Sequence, residues 1–138
     1  MREILFRAKS NQTWYYGYVY PDYESPRRNI WRIATPNEDI LMIDTNTICE
    51  WTGLTDKNNV KIFEGDIVKT NDERIKHISC TDTFVIKFIN GNYYICYTDI
   101  IADDDTICTL RCWSDKSEES VIEVIGNIYD NPDILNAV

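Results

Sequence analysis

The sequence predicts a mainly β fold: an N-terminal β layer packed with a small, bent, SH3-like barrel, followed by a short C-terminal helix. Three observations lead there. Apolar residues recur with period two far more often than with period 3.6. Many short extended runs are separated by Gly, Pro, Asn and Asp clusters. Helical periodicity is scarce along the chain, which selects sheet-on-sheet packing or a barrel.

The elements follow in order. Glu3–Ala8 reads as a strand, and Asn11-Gln12 suits a hairpin connection to a second strand, Trp14–Tyr20. On that strand Trp14, Tyr16, Tyr18 and Tyr20 share one face. Pro21–Asn29 is a polar loop, Ile30–Ala34 resumes extended structure, and Pro36–Asp39 is a turn. Ile40–Ile43 and Thr47–Trp51 are short strands or edges. Thr52–Asn59 is turn-rich, and Lys61–Phe63, the turn Glu64-Gly65-Asp66 and the strand Asp66–Thr70 follow. Asn71–Asp82 reads as a long polar loop. Thr83–Ile89 and Tyr93–Tyr97 form a hairpin about Asn90-Gly91-Asn92, because Asn-Gly tolerates the left-handed angles of tight turns. Phe84, Ile86 and Phe88 share a face opposite Lys87. Thr106–Trp113 is a further strand, Ser114–Ser120 a charged connection, and Val121–Ile128 is apolar enough for a central strand. Asn131-Pro132 supplies a cap and a first-turn proline for a helix over Pro132–Val138. Two segments result, 1–50 and 51–138. Each is small for a core of its own, so they are expected to pack on each other, as one co-folded domain, or on another subunit.

Charge and cysteine content narrow the function classes. The 138-residue chain carries 14 Lys+Arg against 23 Asp+Glu, a net charge of -9. Such a surface repels a phosphate backbone, which disfavours general nucleic-acid coating. Residues 1–35 hold six bases and three acids, whereas residues 36–138 hold eight bases and twenty acids. An anionic partner would therefore meet the first segment, but opposite charges could equally pair the two ends, within one chain or between chains. No apolar run reaches membrane-spanning length, and the N-terminus lacks the pattern of an export signal. Five cysteines without CxxC suggest reduced thiols in a cytoplasm; Cys96 reads as a small buried residue.

Three blocks of residues resemble a known family. They are Arg2-Glu3-Ile4-Leu5-Phe6-Arg7-Ala8, then Thr52-Gly53-Leu54-Thr55-Asp56-Lys57-Asn58-Asn59 running into Ile62-Phe63-Glu64-Gly65-Asp66-Ile67-Val68, and Val124-Ile125-Gly126-Asn127-Ile128-Tyr129. In order and spacing they are similar to the YopX family of bacteriophage and prophage proteins, over nearly the whole chain. Asn59 departs from the family's usual Gly, but Asn also accepts positive φ. The resemblance implies a mainly β phage protein in the bacterial cytoplasm that self-associates. It carries no established activity and no catalytic residues.

Candidate chemistry is sparse. Asp56, Glu64 and Asp66 could converge as a cation or ligand site; as turn-formers flanking the core residues Ile62, Phe63, Ile67 and Val68 they need no ligand, and their spacing is not that of an EF-hand. Asp103-Asp104-Asp105 alternate sides in extended chain and read as a solvated loop. Cys108 and Cys112, if on one strand, lie roughly 13 Å apart, too far to share a zinc ion that needs sulfurs at about 2.3 Å. His77, the single histidine, could pair with Cys80 as base and nucleophile with Glu73 as orienter, but no oxyanion site accompanies them and a surface histidine is the simpler reading.

The aromatic ladder Trp14, Tyr16, Tyr18 and Tyr20 admits three readings: a core face under a second sheet, an interface, or a stacking platform for single strands helped by Arg27, Arg28 and Arg32. The acidic net charge opposes the third. The expectation is a non-enzymatic, self-associating binding or assembly module without catalytic, cofactor-binding or metal residues. A host or phage protein is a candidate partner. The rival is a nucleic-acid accessory protein using Arg27, Arg28 and Arg32.

Overall fold

A computed structural model describes residues 4–70, 83–89, 91–97, 106–109 and 122–136. It contains two antiparallel sheets and one short helix. The chain divides into two compact units, Met1–Trp51 and Thr52–Val138.

In the first unit, β1 (Phe6–Ser10) and β2 (Thr13–Pro21) form a hairpin with Ser10 opposite Thr13. Asn11 and Gln12 both take positive φ, 50° and 66°, the turn geometry that matches strand twist in two-residue hairpins. That turn fixes where β1 ends, which is why the strand runs on to Ser10, past the Ala8 expected from the sequence. β3 (Trp31–Ala34) pairs β2, and β4 (Ile40–Met42) pairs β3. β5 (Asp44–Thr55) pairs β1 on its other side, with a bulge between Arg7 and Lys9. The core gathers Ala8, Ile33 and Ile43 beneath Tyr15, Val19, Trp31, Leu41 and Ile48.

β5 is longer than expected. Thr52–Thr55, placed in a turn-rich stretch by composition, is extended. Gly53 at φ 87° and the Thr52 hydroxyl, which donates to the Ile62 carbonyl at 2.7 Å, carry the strand on beside β6 (Lys61–Phe63). The turn is confined to 56–59, where Asn59 holds φ 64° as its side chain permits.

The second unit holds a five-stranded sheet in the order β10-β9-β8-β7-β11: β7 (Asp66–Thr70), β8 (Thr83–Ile89), β9 (Asn92–Tyr97), β10 (Thr106–Thr109) and β11 (Ile122–Asn127). Ile62, Val68, Phe84, Ile86, Ile95 and Ile122 make its core. Phe88 shares the face of Phe84 and Ile86 but is exposed against Tyr93, ring centroids 5.0 Å apart. β11 is an edge of this sheet among the described residues, not a central strand. Its apolar run reflects a bulge: Val124 opposes Val68 and Gly126 opposes Ile67, so Ile125 is extra and partly exposed. Helix α1 (Pro132–Asn136) starts at the expected proline. Asn71–Asp82 with His77 and Cys80, Asp103–Asp105, Cys112 and Ser114–Ser120 lie outside the described residues.

Candidate functional site

β2 sorts its side chains by parity. Tyr15 and Val19 turn inward onto Ala8 and Ile33, and Gly17 between them is buried. A Cβ at Gly17 would collide with the Ala34 carbonyl oxygen, so only glycine lets β2 and β3 approach there. The even positions take the opposite face. Tyr18 is 64% exposed, Tyr16 46%, and Tyr20 is also exposed. Tyr16, Tyr18 and Tyr20 therefore take no part in the first unit's own core, whose contacts from β2 come from the odd positions Tyr15 and Val19. Gly17 on the odd face was the signal available in the sequence, since a strand glycine marks close backbone approach.

Trp14 differs from the tyrosines. It is half-buried, with the Arg7 guanidinium 4.8 Å and the Lys9 ammonium 5.2 Å from its ring centroid. Beyond it, register sets cross-strand rows. Tyr18 opposes Ala34, which opposes Ile40; Tyr20 opposes Arg32, which opposes Met42. Ile40 is 58% exposed and Met42 50%. The ladder thus widens across β2, β3 and β4 into a face that is apolar apart from Arg32, which is bonded to Asp22. Ile40 and Met42 escaped sequence reasoning because Ile40–Ile43 is apolar throughout, and no period distinguishes its two sides.

The three arginines are not brought together. Arg32 on β3 donates from Nε to Asp22 Oδ2 at 2.7 Å across the neck of the 22–30 loop. Asp22 also accepts the Glu24 amide, and its own amide donates to the Ile30 carbonyl at 2.8 Å. The Arg32 hydrogen bond, with help from the Glu24 amide, holds the Asp22 carboxyl below its ordinary 3.8 despite partial desolvation. Arg27 and Arg28 are exposed and line an open hollow of about 380 Å³ with Pro21, Tyr23 and Trp31.

The acidic trio serves the backbone. Asp56 is buried; its Oδ1 accepts the amides of Asn58 at 2.8 Å and Val60 at 2.9 Å, and its Oδ2 that of Val124 at 2.9 Å. Asp66, also buried, accepts the Phe63 amide at 2.7 Å. Glu64 is half-buried. Among the described residues, no group of three or more His, Cys, Asp or Glu side chains is placed to hold a metal ion. Cys49 and Cys96 are buried. No helix of the described residues is long and apolar enough to cross a membrane.

The middle and last of the three blocks that carried the family resemblance meet inside the second unit. The Lys57 amide donates to the Ile122 carbonyl, Asp56 binds Val124, and the Ile128 amide donates to the Gly65 carbonyl at 3.0 Å. Tyr129 and Ile128 pack over Gly65, whose φ of 85° suits glycine.

Comparison with known proteins agrees with this frame. The chain is similar to a crystal structure of protein EF1440 from Enterococcus faecalis, at 24% identity and a TM-score of 0.55, covering 98% of this chain and 99% of that one. That likeness is one of fold. Among curated proteins, none matches. The family described as YopX protein matches residues 5–136, so the chain belongs to the YopX family.

Proposed function

We propose that this protein is a non-enzymatic binding and assembly module of phage or prophage origin, acting in the bacterial cytoplasm. It associates with further copies of itself through the outer face of β2, β3 and β4. The observation that carries this reading is the pair of cross-strand rows, Tyr18–Ala34–Ile40 and Tyr20–Arg32–Met42, whose outer members Tyr18, Ile40, Tyr20 and Met42 are exposed and whose middle members are half-buried. Tyrosine joins a large apolar ring to a polar tip, the combination enriched at protein interfaces. Covering such rings gains about 25 cal/mol for each Å² of apolar surface removed from water.

Light scattering tests it. The wild-type protein should give a mass above that of one 16.2 kDa chain at micromolar concentration. The double variant Tyr18→Lys with Ile40→Lys should give one chain, because two desolvated charges would oppose closure of the face. A wild-type mass of one chain refutes the reading.

A second reading, an anionic partner such as nucleic acid at the basic N-terminal third, draws on the hollow that gathers Arg27 and Arg28 beside Tyr23 and Trp31. It is weakened by the bond that commits Arg32 to Asp22 and by the net charge of -9. A salt-sensitive gel shift that vanishes when Arg27, Arg28 and Arg32 become Glu supports it; no shift at low salt removes it.

A further inference from the structure

We infer that β4 is a docking edge for an added strand from a partner protein, one whose apolar residues stand two apart and are followed by Lys or Arg. This goes beyond association through the aromatic face, because it uses backbone groups and a different line of the sheet.

Among the described residues, β4 ends its sheet. The hydrogen bonds from the Thr35 amide to the Asp39 carbonyl and from the Ile43 amide to the Trp31 carbonyl fix the phase of the β3–β4 ladder. Bonded and non-bonded pairs alternate in an antiparallel ladder. Leu41, opposite Ile33, therefore turns its N–H and C=O inward to β3. Ile40 and Met42 turn theirs outward, away from β3. An incoming antiparallel strand finds both donors and both acceptors in position. The side chains of Ile40 and Met42 are exposed on the aromatic face, so residues placed opposite them extend that apolar surface.

Proteins usually guard such edges with proline or lysine. Ile40-Leu41-Met42 has neither; its flanks are acidic instead, with Glu38 and Asp39 before it and Asp44 after it. Asp44 opposes Lys9 on β1, which leaves the stronger negative charge at the Glu38–Asp39 end. Glu38 sits there at φ 69°, an angle that glycine or asparagine takes more readily. Charge also selects the occupant. A second copy pairing β4 with β4 about Leu41 would set Glu38 against Asp44, like charges face to face. A strand with a basic C-terminal end, laid antiparallel, sets its cations against Glu38 and Asp39.

The test uses the full chain and the peptide acetyl-Thr-Val-Thr-Val-Lys-Lys-amide, followed by amide hydrogen exchange and fluorescence anisotropy. Saturating peptide should slow exchange at Ile40 and Met42 and leave Leu41, already bonded within the sheet, unchanged. The Glu-Glu version should bind about tenfold more weakly. Met42→Pro removes one outward donor at a position where an edge strand tolerates proline, and should cost about tenfold, whereas Met42→Ala should retain binding. No peptide-dependent protection of Ile40 and Met42, or equal loss in both Met42 variants, overturns the inference. So does concentration-dependent protection without peptide, which would name a second copy as the occupant. A wild-type mass above one chain together with unprotected β4 amides would leave the face association standing and this edge refuted.

Discussion

At Asp22 a single guanidinium sets the behaviour of a whole loop. The Arg32 hydrogen bond lowers the carboxyl below 3.8 in the folded chain. The folded value lies under the unfolded one, so this contact stabilises the fold above about pH 4 and is lost as pH falls through the folded value. Replacing Arg32 with Gln should bring the Asp22 titration back towards its ordinary position, read by NMR of the carboxyl carbon; an unmoved titration counts against the pairing. Asp56 is the heavier contributor. Asp56→Ala would strand three backbone amides, those of Asn58, Val60 and Val124, and should cost about 3–5 kcal/mol in urea unfolding. A loss under about 1 kcal/mol would mean that the carboxylate is not the staple described.

The strand β2 shows how one element divides its work between a core and a surface. Its odd positions lock it to β1 and β3, and Gly17 permits the contact. Gly17→Ala should destabilise the first unit by at least about 2 kcal/mol, because the Ala34 carbonyl belongs to backbone and can yield only by shifting β3. Thermal melting of the variant checks this. Its even positions make few demands on folding, so Tyr18→Ser should leave the melting temperature within a few degrees of wild type. At the other end of the chain, Gly126 gives room to Asn131, whose side chain accepts the Asn127 amide at 3.2 Å beside the start of α1. Many of the residues that carry the family resemblance are thus fold-makers of the second unit.

For the molecule as a whole, two forces could drive association, and salt separates them. Apolar closure of the β2–β4 face should persist in roughly 0.5 M salt, where screening removes most attraction between exposed charges. Pairing of the basic N-terminal third with acidic surfaces should dissolve under the same condition. Light scattering across a salt series therefore distinguishes them: a mass that falls to 16.2 kDa in high salt assigns association to charge.

The alternation of side chains, the turns at Asn11-Gln12 and Glu64-Gly65, and the helix start at Pro132 were all legible in the linear chain, because each depends on neighbours a few residues away; of the turn-rich stretch Thr52–Asn59 only its second half is a turn, the first half continuing β5. The four-ring ladder was legible as one face for the same reason. Which side of the sheet that face would take did not follow from the alternation, because a period of two defines two sides without naming the buried one, and Gly17 was the single local mark of the inner side. Only tertiary packing decided it, when Ala8, Ile33 and Ile43 came together under the odd residues of β2. The β4 edge likewise came from sheet order and hydrogen-bond phase, which join residues that local composition cannot pair.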